Sequence, residues 1–301
     1  MMEKILISGG SGLVGQALTQ HLTQQGHEVA WLSRSQQKGQ KTFLWDVKNQ
    51  EIAPEALAWA SHIIHLAGAG VADKRWTPAY KKEILDSRVQ ATRLLVKGLK
   101  QYPNAVKKVV SASAMGIYGT FHQEEWVEEE SPAGKDFLAK VTQEWENEVQ
   151  QLQSLGIPEV RMRISIVLAK EGGALPTLML PVRFGLASAI GKGSQYMSWI
   201  HIKDLCRLFS WALLESDIQG ALNAASPQPE TNADFMKTLA KVMRKPFFLP
   251  SVPSWVLHLA MGEKAIIATS GVRLSVNRLT SKGVTFVHPD LATALESLLK
   301  E

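Results

Sequence analysis

The chain of 301 residues has one cysteine, Cys206, and only four tyrosines. A single thiol cannot close an intramolecular disulfide or build a cysteine-rich metal site, and this usage suits a reducing compartment. No apolar run approaches the ~18 residues that a membrane-spanning helix needs. Glu3 and Lys4 are the only charges before an apolar stretch that runs into glycines. Without a basic leader or a small-residue cleavage site, no signal peptide is expected, and the expected location is cytoplasmic. His62 and His65 lie i, i+3 in a run that reads as a strand, so they face opposite sides and no metal site is expected. There is neither a Gly-x-Ser-x-Gly nucleophile turn nor a P-loop string.

What is present is ordinary for a folded protein. Hydrophobic residues make up 45% and charged residues 20%, with 22 glycines and 13 prolines. That balance excludes collagen-like, coiled-coil and wholly disordered chains. The net charge of +5 is unevenly spread. Glu124, Glu125, Glu128, Glu129 and Glu130 make an acidic loop. Between Lys237 and Lys282 the charges are mostly basic, among them Lys241, Arg244, Lys245, Lys264, Arg273 and Arg278. Such a stretch can attract nucleic acid or anionic lipid, but it holds no reader motif and reads as a solvated face.

The first half alternates strand and helix patterns. Strands are expected at Lys4–Ser8, Glu28–Ser33, Thr42–Asp46, His62–Ala67, Lys107–Ala112 and Glu159–Leu168, and helices at Leu13–Gln25, Pro78–Gln101 and Asp136–Leu155. Apolar strands separated by helix-length segments indicate an α/β chain with a doubly wound parallel sheet. After Lys170 the glycines and prolines cut the chain into shorter pieces, with helices expected at Ile202–Glu215, Asn232–Met243 and near Trp255–Ala260.

The sharpest signal is Ile5-Leu-Ile-Ser-Gly9-Gly10-Ser11-Gly12-Leu13-Val14-Gly15. It follows a strand and opens a helix. Gly9 and Gly12 permit a tight turn that brings backbone N–H groups to a pyrophosphate, and Gly15 permits close packing of helix on strand. About 20 residues on, an NAD site carries an acid for the ribose hydroxyls. Here Ser33-Arg34-Ser35 stands instead. Arg34 can pair with a 2′-phosphate and stack on adenine, so NADP is the expected cofactor.

GGSGLVG at the first turn, HLAGAG after the fourth strand and SASAMGIYG after the fifth resemble the extended short-chain dehydrogenase/reductase superfamily. KEILDSRVQATRLL, DFLAKVTQEWE, GGALPTLMLPVRFG, MSWIHIKDL and GALNAASPQPETNADFM resemble its atypical epimerase-family branch, the nucleoside-diphosphate-sugar epimerase-like proteins. The resemblance runs from Met2 to about Leu298. It implies a Rossmann-type NADP-binding domain over 1–168, with later segments returning to the sheet, and a small C-terminal α/β substrate domain over 169–301. It implies cofactor contacts from Gly9 to Gly15, from Ser33 and Arg34, from Leu66, Ala67 and Gly68 after the fourth strand, from Glu83 and Arg88 on the long helix, and from Val167.

The chemistry departs from that pattern. The superfamily uses a Tyr-xxx-Lys pair in which the lysine eases removal of the phenolic proton. In this register the pair is Phe137 and Val141, while Lys140 points about 100° away on the helix. The catalytic candidates that remain are Ser113, just past the fifth strand, with Ala114 as the alternative in a register one residue on, and Tyr118. The reading is an NADP-dependent oxidoreductase acting on a small molecule. Its alternatives are a sugar-nucleotide epimerase-like isomerase and a non-catalytic NADP-binding or redox-sensing protein. A homodimer is left open, and neither nucleic acid nor membrane is an expected partner. His201 is expected to organise a junction together with Asp204.

Overall fold

A computed structural model describes residues 2–119 and 125–300, so Glu124 of the acidic loop lies outside the described residues. The first strands are β1 (Lys4–Ser8), β2 (Glu28–Ser33), β3 (Thr42–Asp46), β4 (Glu51–Ile52), β5 (His62–His65) and β6 (Lys108–Ala114). They join the strands Glu159–Ile164 and Gly220–Ala224 in one eight-stranded sheet. Its order is Gly220–Ala224, Glu159–Ile164, β6, β5, β1, β2, β3, β4. β1 pairs in parallel with β2 on one side and β5 on the other, and β2–β3 and β5–β6 are also parallel. Ile5, Leu6, Ile7, Ile63, Ile64, Val109, Val110, Val160 and Met162 are fully buried, as expected of strands covered on both faces.

Helix α1 (Leu13–Gln24) returns the chain from β1 to β2, and Gly26, at φ 86°, makes the reversal. The chain builds outward to β4, crosses back through α2 (Pro54–Trp59), and restarts on the other side of β1 with β5. The strand order therefore reverses at the β1–β5 pair. In an open α/β sheet the crevice for a ligand lies at the carboxyl ends of the strands flanking such a reversal, and here those ends are Ser8 and His65. Helix α3 (Pro78–Gln101) follows; Thr77 caps it by accepting from Tyr80 N at 3.2 Å. Helix α4 is Phe137–Gln150.

The strand expected over Glu159–Leu168 is broken. Ser165 turns both its N–H (3.1 Å) and its hydroxyl (2.8 Å) to the Ala224 carbonyl. Ile166–Leu168 then pairs in parallel with Trp199–His201, outside the large sheet. Two expected helices tighten or loosen at their ends: α4 passes into a 3-10 turn at Gln151–Leu155, and Ile202–Ser210 passes into a π turn at Trp211–Glu215. Glu51–Ile52 and Gly220–Ala224, unexpected from the sequence, are strands because they complete the sheet at its two edges.

The contacts divide the chain into two units. One is Met1–Ala114 with Lys140–Arg163 and Cys206–Leu222; the other is Met115–Ala139 with Ile164–Leu205 and Asn223–Glu301. The second unit has its own core. Leu175, Phe235, Leu239, Leu291 and Leu295 are buried in it from the helices Leu175–Arg183, Asn232–Val242 and Leu291–Lys300, and Leu168 and Trp199 from the strand pair Ile166–Leu168 and Trp199–His201. In that unit His201 stacks on His288 with ring centres 3.9 Å apart, and Asp204 accepts from the N–H groups of Val287 and His288 at 2.8 Å each. His201 and Asp204 thus hold the same returning segment.

Candidate functional site

The first unit presents the glycine turn at the carboxyl end of β1. Gly12 N donates to Gly9 O at 3.1 Å and closes the turn. Gly9 has φ 72°, which disfavours any side chain there. At Gly10 the Trp31 indole, held by its Nε1–H on Thr19 Oγ1 at 2.8 Å, fills the place of a side chain. A Cβ on Gly15 would sit 2.5 Å from Gly9 O. Protein packing therefore accounts for three of the four glycines.

Gly12 is different. A Cβ there would find only Gly9 O, at an ordinary 3.4 Å, and Gly12 has an extended φ of −76°. Among the described residues nothing requires a glycine there. Gly12 is also the cap of α1, yet it offers no side-chain acceptor, and the first turn carries no acid. The leading N–H groups of the helix, flanked by exposed Ser11 and partly exposed Leu13 and Val14, are served by no side chain. Bare N–H groups, open space and the positive end of the helix dipole suit a phosphate.

Beside this turn, Leu66, Ala67 and Gly68 follow β5. Leu66 N and Ala67 N donate to Ser8 Oγ at 3.1 and 3.3 Å. Ser8 Oγ lies 2.7 Å from His65 Nδ1, and His65 Nε2 lies 3.1 Å from Thr92 Oγ1. The Thr92 hydroxyl donates to Arg88 O at 2.8 Å. Its lone pair therefore receives the Nε2–H of His65, which leaves Nδ1 to accept the Ser8 proton. Complete burial holds His65 neutral by pulling its pKa down to about 4. Sequence reasoning missed Ser8 and His65 as site residues, although both lie inside the two motifs that located the site.

Arg88 packs its guanidinium 5.2 Å over the Trp145 ring and donates from Nη1 to Ile84 O at 2.9 Å. Its side chain runs along the backbone of Gly68, where a Cβ would sit 3.1 Å from it. No carboxylate pairs with it among the described residues, and burial pulls its pKa down to about 10. An uncompensated buried cation beside the β5 loop is costly unless an anion meets it. Glu83 stands apart, solvent-exposed in an ion pair with Lys74 at 3.4 Å. The long helix thus separates the two residues expected to act together: Arg88 inward, Glu83 outward.

At the end of β2, Ser33 Oγ is approached by Ser35 N at 3.5 Å and Gln37 Nε2 at 3.4 Å. Arg34 is exposed and unpaired among the described residues. Val167 lies in the second unit, paired with Ile200.

The hydroxyl candidates are committed within their own units. Ser113 donates to Glu146 Oε1 at 2.5 Å; Arg163 grips that carboxylate at 2.9 Å through both Nε and Nη2, and Arg161 Nη1 adds a contact at 3.3 Å. In the second unit Tyr118 donates from its hydroxyl to Asn223 Oδ1 at 2.7 Å and is 2% exposed. Ser113 and Tyr118 can still accept a hydrogen bond, but each has its own O–H directed to a neighbour. Val141 is buried and Lys140 exposed. The described residues at positions 137 and 141 therefore offer no titratable pair.

Known proteins resemble this chain along nearly its whole length. The profile of the NAD dependent epimerase/dehydratase family matches residues 5–225, and that of a domain of unknown function matches 252–298. The epimerase family protein YfhF of Bacillus subtilis is 35% identical over 300 residues, covering 99% of this chain and 98% of that one. The mouse epimerase family protein SDR39U1 is 33% identical, covering 98% and 99%. The crystal structure of human SDR39U1 (isoform 2) with NADPH superposes with a TM-score of 0.88 at 30% identity, covering 99% of both chains.

Proposed function

From the premise that this chain belongs to the NAD dependent epimerase/dehydratase family, we propose that it binds NADP and acts as an atypical oxidoreductase on a small molecule. The observation that carries the reading is Gly12, a glycine that packing among the described residues does not require, capping a helix whose first N–H groups have no side-chain acceptor among those residues. In this reading Gly9 to Gly15 hold the pyrophosphate. Ser33 and Arg34 hold the 2′-phosphate, with no acid beside them to repel it. Leu66, Ala67 and Gly68 line the cofactor, and Arg88 supplies the buried positive charge. The human relative was crystallised with NADPH, which supports the phosphorylated form.

When bound, the nicotinamide supplies or accepts a hydride. The residues of the chain bind and orient: Ser8 and His65 hold the β5 loop against the glycine turn, and Arg88 offsets phosphate charge. Ser113, steadied by Glu146, presents acceptor lone pairs. No tyrosine–lysine pair supplies the proton at positions 137 and 141. Stopped-flow oxidation of bound NADPH against a panel of carbonyls and sugar nucleotides tests the reading, which predicts at least one rapid acceptor.

A second reading rests on those same positions. With Phe137 and Val141 in place of the acid–base pair, and with the protons of Ser113 and Tyr118 committed to Glu146 and Asn223, the chain also suits a non-catalytic NADP-binding or redox-sensing protein. That reading predicts tight NADPH binding and no acceptor in the panel.

A further inference from the structure

The basic stretch after Lys237 does not read as a plain solvated face once its apolar neighbours are placed. Phe248 is 75% exposed, and Trp255 and Leu259, one turn apart on the helix Ser254–Met261, are 67% and 76% exposed. That helix buries none of its residues. A second segment of the same unit adds Leu180, Phe184 and Leu186, all more than half exposed. The two segments are joined. Ile190 and Val252 form a parallel bridge, Val252 N donates to Ala189 O at 2.8 Å, and Gly191 N donates to Val252 O at 2.8 Å. Leu186 and Phe248, each four residues before that bridge, therefore lie at the same end of it. Exposed apolar side chains gathered on two joined segments of one folded unit mark an interaction surface.

Charge selects the occupant. Residues 180–192 and 241–264 carry six basic side chains (Arg183, Lys192, Lys241, Arg244, Lys245 and Lys264) and one acidic, Glu263. Arg183 is adjacent to Phe184, Lys245 is three residues from Phe248, and both cations are exposed. Two copies meeting on this face about a two-fold axis would bring cation against cation. A surface that is apolar within and anionic at its rim complements both features, and aromatic and leucine side chains beside lysine and arginine are the pattern of interfacial helices. We infer that this face of the second unit docks on anionic lipid bilayers, with Phe248, Trp255 and Leu259 entering the interface and Arg183, Arg244 and Lys245 meeting the headgroups. The helix Ser254–Met261 lies on such a surface; no helix among the described residues is long and apolar enough to cross one.

The test is flotation of the full chain with vesicles of phosphatidylcholine mixed with phosphatidylglycerol, and with vesicles of phosphatidylcholine alone. The expected result is binding to the mixed vesicles only, weakened by salt. A blue shift of tryptophan emission should accompany it and be lost in Trp255→Phe. Trp255→Ser with Leu259→Ser, and separately Arg244→Gln with Lys245→Gln, should each weaken binding about tenfold or more. NADPH affinity should stay unchanged in both variants, which separates this inference from the cofactor reading. Three outcomes would overturn it: no binding to the anionic vesicles, binding that the Trp255/Leu259 variant leaves intact, or a dimer in sedimentation velocity that the same variant dissolves.

Discussion

Ser8 Oγ and His65 Nδ1 stand 2.7 Å apart at the carboxyl ends of two adjacent parallel strands. That one contact ties the start of the glycine turn to the loop after β5. The hydroxyl donates a hydrogen bond to the neutral imidazole and accepts from the N–H groups of Leu66 and Ala67. His65 passes the constraint on to Thr92 and so to the helix that carries Arg88. The parts of the candidate phosphate site are therefore one hydrogen-bonded assembly, with a neutral histidine at its centre.

That histidine makes stability depend on pH. Its pKa is about 4 in the fold against about 6.5 unfolded, so between these values the unfolded chain binds the extra proton. Stability is full above pH 6.5 and is lost as pH falls toward 4, by about 2–3 kcal/mol at pH 4.5. Urea unfolding at pH 7 and pH 4.5 should show this loss in the wild type. The His65→Gln variant, though less stable at pH 7, should lose less on acidification. An equal loss in the variant would assign the acid sensitivity to other groups.

Gly12→Ala and Gly15→Ala should separate binding from folding. The first meets only ordinary contact and should leave thermal stability nearly unchanged while weakening NADPH binding tenfold or more, because the new methyl group lies where the phosphate would approach. The second would place its Cβ 2.5 Å from Gly9 O and should destabilise the fold by about 1–3 kcal/mol. Calorimetry with and without NADPH checks both. A Gly12→Ala protein that binds NADPH as the wild type does would remove the observation on which the cofactor site rests.

Arg88→Met should behave unlike most substitutions at buried positions. Among the described residues no carboxylate partners the guanidinium, so replacing it with an apolar side chain of similar length should leave the unliganded protein about as stable or more so. The rise in Tm that NADPH produces should shrink. Loss of more than about 2 kcal/mol in the unliganded variant would make Arg88 a structural residue held by Trp145 and Ile84.

Arg34 should decide cofactor choice. A charge-assisted contact to the 2′-phosphate contributes about 1.5–3 kcal/mol, one to two powers of ten in affinity. NADPH is expected to bind more tightly than NADH, and Arg34→Ala should erase most of that difference while NADH affinity stays nearly constant. Fluorescence titration of both cofactors measures it. Equal wild-type affinities would exclude the assignment.

Restoring the absent pair, Phe137→Tyr with Val141→Lys, should not create robust turnover. Val141 is 3% exposed. A lysine there loses hydration and with it the charge that would ease proton loss from the tyrosine. Rapid oxidation of NADPH by ordinary carbonyls in the double variant would contradict this.

The sequence alone determined the α/β sheet, the glycine turn after β1, the missing acid at Arg34 and the missing Tyr-xxx-Lys pair. Each is a local signal: strand periodicity, glycines whose backbone φ or tight packing admits no side chain, and residue identity at a fixed spacing from a motif. Tertiary structure decided the rest. Glu83 and Arg88 sit five residues apart on one helix, and only packing against Gly68 and Trp145 sends one inward while the other pairs with Lys74 in solvent. Ser113 reads as a catalytic candidate in the sequence; its partner Glu146 lies 33 residues away, across a helix–sheet contact that no periodicity encodes. The bridge from Ile190 to Val252 joins two runs of exposed apolar side chains that lie about 60 residues apart in the chain, a neighbourhood that no local pattern encodes. Burial and partnership are properties of the packed chain, because they depend on which distant surface closes over a residue, and residue type together with spacing does not specify that surface.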